Sequence, residues 1–97
     1  MSLTRGEGRQ TVTTAGTAVQ LSTTSVGASE VIITAETDNT GIIVVGTSTV
    51  VAALATRKGT PLLAGESLVI AIDDLNKIYL DTTVSTDGVT YQWSKIN

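Results

Sequence analysis

The stretch from Thr60 to Asp81, TPLLAGESLVIAIDDLNKIYLD, constrains the fold more than any other part of the chain. It holds the only proline, a Gly-based turn at Ala64-Gly65-Glu66 and a strand pattern from Ser67 to Ile72. The polar turn Asp73-Asp74-Leu75-Asn76 then leads into a second strand pattern from Lys77 to Asp81. Short β-runs joined by turn-forming residues predict consecutive antiparallel strands. Leu68, Ile70 and Ile72 form one inward row, Ile78 and Leu80 continue it, and Tyr79 faces the other way.

The same two-residue period recurs elsewhere. Thr11-Val12-Thr13 and Ala18 to Ser22 are candidate strands split by Ala15-Gly16, and Thr23 to Gly27 is a loop. Val31, Ile33 and Ala35 alternate with Glu30, Thr34 and Glu36, and Ile32 is the one exception. Thr37 to Gly41 is a turn. Ile42 to Val45 is continuously apolar, as expected of a strand covered on both faces. Over Ser48 to Ala55 a short capped helix competes with an edge strand at Thr49-Val50-Val51-Ala52. The edge strand is preferred because so short a helix is marginal. Arg57-Lys58-Gly59 is an exposed basic turn, and Pro61 belongs at the start or edge of a strand because it has no N–H to donate. After the turn Ser85 to Gly88, Val89, Tyr91 and Trp93 alternate with Thr90, Gln92 and Ser94 as a closing strand.

Seven to eight short strands with turn signals every 8–12 residues predict an all-β fold, a small antiparallel β-sandwich of jelly-roll or Greek-key type. Residues 10–97 form the single domain, and the polar, Gly-rich residues 1–9 read as a flexible N-terminal arm. A chain of 97 residues buries a modest share of its surface, so oligomerisation would add useful burial.

Catalytic constellations are missing from the sequence. With no His and no Cys, the Ser–His and Cys–His nucleophile systems, thiolate sites and the commonest metal ligand are all excluded. No Ser-x-x-Lys and no phosphate-binding Gly motif occurs, and Gly6-Glu7-Gly8 is too short for one. Asp73, Asp74, Asp81 and Asp87 lack EF-hand spacing. Asp73-Asp74 is better read as a turn whose carboxylates bond nearby amides. Three aromatic residues make a poor sugar platform for paired-carboxylate glycoside cleavage. No catalytic residue, metal ligand or cofactor is expected.

The net charge is −3, and the six basic residues are scattered, which disfavours a nucleic-acid partner. No apolar run approaches the ~20 residues that span a bilayer, and MSLTRGEGRQ has no hydrophobic signal-peptide segment. Trp93 and Tyr91 are expected in the inward row. Trp93 is also a candidate intersubunit anchor, since such residues are enriched at interfaces.

Four segments, in order, carry a resemblance: TVTTAGTAVQLS, VIITAETDNTGIIVVG, GTPLLAGESLVIAIDDLNKIYLD and DGVTYQW. Together they resemble small tailed-phage virion proteins with a T-x-x-G-T-x-V-x-L strand pair, a T-N-T-G-x-I-x-V-G hairpin and a G-x-P-L-x-A-G-E-S turn. An I-D-D-L-x-x-I-Y-x-D strand pair and a D-G-V-x-Y hairpin complete that order. The match covers most of Thr11 to Trp93, with Val50 to Lys58 fitting poorly. The resemblance implies a capsid decoration (cement) protein made in the host cytoplasm and displayed on the virion surface. It would bind the major capsid protein as a homo-oligomer, a trimer in preference to a dimer. Arg5, Arg9, Arg57, Lys58 and Trp93 are the candidate capsid or intersubunit contacts. The competing function is a receptor- or glycan-binding module of a tail fibre or tailspike, which would need Tyr79, Tyr91 and Trp93 exposed together.

Overall fold

Eight strands build the protein, whose structure is a computed structural model describing residues 2–97. They are β1 (Leu3–Thr11), β2 (Val19–Gln20), β3 (Glu30–Ala35), β4 (Ile43–Gly46), β5 (Thr60–Leu62), β6 (Ser67–Ala71), β7 (Tyr79–Thr82) and β8 (Gly88–Ile96). Single 3₁₀ turns at Leu54–Thr56 and Leu75–Lys77 are the helical elements among the described residues.

The strands form two four-stranded sheets, in the orders β1-β8-β3-β6 and β2-β7-β4-β5. Every described pairing is antiparallel. First pairs with last, second with seventh, third with sixth and fourth with fifth. That is the wrapping of a long folded ribbon around a two-layer core, the jelly-roll order. The all-β sandwich expected from the sequence is therefore present, in its jelly-roll form.

Alternation explains which side each strand buries. Val31, Ile33 and Ala35 of β3 are fully buried with Val89 of β8, and Ile43, Val45, Leu62 and Leu80 face them from the other sheet. Leu68 and Ile70 of β6 and Tyr91 and Trp93 of β8 pack partly buried against this cluster.

Three expectations are corrected. The arm expected over residues 1–9 is a nine-residue strand paired with β8 from Leu3↔Ile96 to Thr11↔Gly88; Met1 lies outside the described residues. Its inward side is held by glycine, because the Trp93 and Tyr91 rings lie across Gly6 and Gly8. Aromatic rings over cross-strand glycines give such a strand the packing that it cannot supply itself.

The strand patterns either side of Asp73–Asn76 are consecutive but not neighbours. β6 pairs with β3, whereas β7 pairs with β2 and β4. The chain crosses between sheets through the Leu75–Lys77 turn, where Leu75 is buried and the Asp74 carboxylate accepts from Asn76 N–H at 3.0 Å.

The edge strand expected at Thr49 to Ala52 is instead a loop laid over β4. Val50 and Ala52 alternate as a strand would, but they pack on the outer side of Val44 beside Tyr79. Within this loop the pairing is limited to one isolated bridge, Val51↔Lys58. Ala52 N–H, which an edge strand would use in its ladder, is given to the buried Asp81 carboxylate at 2.9 Å. Pro61 sits in β5 at the sheet edge, as its missing N–H requires.

Candidate docking surface

The two sheets differ in what lies outside them. The outer face of β4 and β7 is closed by the chain itself: Val44, Val50 and Ala52 are buried together there, and Asp81 is 2% exposed. Asp81 accepts from the backbone N–H groups of Gly16, Ala52 and Thr82 at 2.8–2.9 Å, tying two loops down over β7. Asp87, also buried, holds the Thr40 and Gly41 amides at 3.2 and 2.7 Å. Both carboxylates are thus engaged by backbone donors, as buried charge requires.

Nothing among the described residues covers the outer face of the β1-β8-β3-β6 sheet. Register places Glu7, Gln92, Ile32 and Val69 in one row across it, with Arg5, Ser94, Glu30 and Ala71 in the next. Leu3 and Ile96 face each other at its end. Ile32 is 41% exposed, Leu3 51%, and Val69 and Ile96 58% each. Two open concavities of about 540 and 420 Å³ share Ile32 and Gln92 in their walls. Burying one such aliphatic side chain stabilises a complex by about 1–2 kcal/mol before association costs. The exposed aliphatic pair Ile32 and Val69 thus lies beside Gln92 on this face, with Glu7 ending the same row and Arg5, Ser94 and Glu30 in the next.

Two residues carry a signal of this face that the sequence reading did not use. Ile32 is the residue that breaks the alternation of β3, and Val69 is an aliphatic at an outward position of β6. Both are aliphatic side chains that the fold leaves uncovered.

The five candidate contact residues do not form one patch. Arg5 and Arg9 lie on the outer face of β1, and Trp93 lies on the inner face of the adjoining strand β8. Arg57 and Lys58 belong to the loop over the opposite sheet, where the Arg57 Nε–H donates to Ala52 carbonyl oxygen at 2.9 Å. Arg9 is held by Glu36 in a two-pronged ion pair of 3.0 and 2.8 Å, which raises the guanidinium pKa further above its ordinary value. Arg5 is exposed on the outer face, and Trp93 is half-buried on the inner one.

The remaining titratable cluster is structural. Asp74 accepts from the Ser25 hydroxyl and from the Asn76 and Val26 amides, which lowers its pKa below the usual carboxylate value. Asp73 is lowered by Lys77, whose ammonium lies 2.9 Å away one turn on. This is the turn chemistry read from Asp73-Asp74. Among the described residues no three of His, Cys, Asp and Glu are grouped to hold a metal ion, and no helix is long and apolar enough to cross a membrane.

Tyr79 packs with Val44 under the loop on one sheet, whereas Tyr91 and Trp93 pack against the main core from the other. The three aromatics therefore line no common groove. No known family, characterised protein or solved structure matches the chain.

Proposed function

We propose that this chain is a structural virion protein of a tailed phage. In this reading it is a capsid decoration protein that fastens to the major capsid protein by non-covalent adhesion on the virion surface, after synthesis in the host cytoplasm. The observation that supports the reading is the uncovered outer face of the β1-β8-β3-β6 sheet, with Ile32 on the central strand β3 and its neighbour Val69 on the edge strand β6 both exposed. The resemblance carried by the order of turn and strand motifs supports the major capsid protein as the partner. A two-layer β-scaffold with paired strands loses little conformational entropy on docking. Repeated copies on a lattice convert weak single contacts into strong retention.

The glycan-binding alternative needs an aromatic groove, and the separation of Tyr79 from Tyr91 and Trp93 does not favour it.

Co-sedimentation with capsids lacking the protein tests the proposal. Wild-type protein is expected to pellet with the shells, and Ile32→Glu and Val69→Lys to stay in the supernatant while keeping the wild-type circular dichroism. Capsid binding that ignores both substitutions, or no binding by the wild type, defeats it.

A further inference from the structure

The four strands that end the two sheets are β1, β6, β2 and β5. β5 is three residues long and contains Pro61, and β2 is two residues long. β1 is different: nine residues, regular pairing on one side and no described partner on the other.

The direction of its unpaired groups follows from its ends. Asn97 N–H donates to Ser2 carbonyl oxygen, Val12 N–H to Asp87 carbonyl oxygen and Thr86 N–H to Val12 carbonyl oxygen, at 2.8–3.0 Å. Even-numbered residues of β1 therefore turn their backbone groups toward β8. Because direction alternates along an antiparallel strand, Leu3, Arg5, Glu7, Arg9 and Thr11 turn theirs to the open edge. Thr11 N–H is already taken by the Gln10 Oε1 at 3.0 Å, which closes that end. The usable edge is Leu3 to Arg9.

A second copy of this chain fits that edge, and side-chain charge selects the register. A two-fold axis at Glu7 would set Glu7 against Glu7 and Arg5 against Arg9, opposing like charges directly across the strands, which destabilises. An axis at Gly8 would bring in the blocked Thr11. An axis at Gly6 pairs Arg5 with Glu7 twice and Leu3 with Arg9 twice, using every open residue and no blocked one. It also places glycine at the non-hydrogen-bonded pair, where strands approach most closely. The Trp93 indole, stacked over Gly6, then meets its counterpart at the axis.

We propose that two copies associate through antiparallel β1–β1 pairing centred on Gly6, joining their open sheets into one continuous eight-stranded sheet. This is β-augmentation with the chain as its own partner. It rests on the edge geometry and not on the capsid reading, and its order is two-fold where the resemblance implies a trimer.

Sedimentation equilibrium of the full chain tests it. Wild-type protein is expected to be dimeric, with a blue shift in the emission of its single tryptophan as concentration rises. Glu7→Arg is expected to weaken association about tenfold or more, since two attractive cross-strand pairs become repulsive. The double variant Arg5→Glu/Glu7→Arg is expected to restore it, because swapped charges remain complementary only in the Gly6-centred register. Arg5 and Glu7 are exposed, so unchanged denaturation midpoints certify the fold of each variant. A monomer at every concentration, a three-fold assembly, or a dimer unmoved by Glu7→Arg overturns the proposal. So does failure of the double variant to recover.

Discussion

The indole of Trp93 lies across Gly6, its cross-strand partner, so closely that a Cβ placed on Gly6 would stand 2.7 Å from the ring. Gly-to-Ala exchange in a strand ordinarily stabilises by about 0.5–1 kcal/mol through the backbone entropy of the unfolded chain. Here the sign is expected to reverse. The indole is packed against the core and must move, so Gly6→Ala should lose about 1–3 kcal/mol, the usual cost of overpacking. Urea denaturation reads the loss, and a shift in Trp93 emission reports the displaced ring. A more stable Gly6→Ala would show that the ring yields freely.

Asp81 is the buried anchor of the closed sheet face, accepting three backbone N–H groups. Asp81→Asn keeps the shape but turns an amide NH₂ toward at least one of those donors. Losing charge-assisted bonds and leaving buried N–H groups unmatched costs about 2–4 kcal/mol. The denaturation midpoint should fall accordingly, and hydrogen exchange should quicken at Ala52, whose amide loses its acceptor. Equal protection of Ala52 in both proteins would contradict the anchoring role.

Acid stability should depend on Asp74. Its folded-state pKa is lowered, first by the Ser25 hydroxyl and then by the Asn76 amide. A carboxylate depressed on folding stabilises the native state above its unfolded pKa of about 3.9, and that contribution disappears as pH falls through the folded value. Stability should therefore be level above about pH 5 and drop below about pH 4. Asp74→Asn can still cap the Leu75–Lys77 turn through its side-chain oxygen, so its neutral-pH stability should change little while the acid limb flattens. Denaturation midpoints measured across pH check this, and an unaltered acid limb would rule Asp74 out as its source.

The sequence revealed those strands whose own side chains alternate. Val31, Ile33 and Ala35 announce β3 because each second residue must enter the core, and Ile43 to Val45 announce a strand with both faces covered. β1 was illegible because its inward positions include Gly6 and Gly8, and the rings that fill them belong to a strand at the other end of the chain. Period alone also cannot say which strand is a neighbour, so β6 and β7 looked adjacent although the ribbon sends them to different sheets. Val50 and Ala52 read as an edge strand because packing outward on Val44 demands the same alternation. The open face was visible only as anomalies, Ile32 above all. An exposed aliphatic has no local signature until the layer that fails to cover it is known.

Thr86 shows the same limit in a turn. Within Ser85 to Gly88 the left-handed residue is Thr86, at φ +74°, and not the glycine. Gly88 answers a different need, since a Cβ there would meet Gln10 carbonyl oxygen at 2.6 Å. A β-branched residue at positive φ is strained by about 1–3 kcal/mol, from which glycine's extra unfolded-state entropy subtracts about 0.5–1 kcal/mol. Thr86→Gly is thus expected to stabilise by about 1 kcal/mol, raising the melting temperature, while Gly88→Ala lowers it. A destabilised Thr86→Gly would mean that the Thr86 hydroxyl, which donates to Ser85 carbonyl oxygen at 2.6 Å, outweighs the backbone strain.

Removing residues 1–9 separates a strand from an arm. A free arm contributes nothing to the core, so its loss would leave the denaturation midpoint unchanged and alter only binding. β1 instead pairs with β8 along its full length and shields the faces of Trp93 and Tyr91 through Gly6 and Gly8. Deletion would strip hydrogen bonds from one side of β8, expose both rings and make β8 a new nine-residue edge. Small domains hold only about 5–15 kcal/mol in total, so the shortened chain is expected to be unfolded or aggregated at a temperature where the full chain is native. Circular dichroism and light scattering measure that difference directly. A truncated protein that melts cooperatively at the wild-type temperature would return residues 1–9 to the status of an appendage.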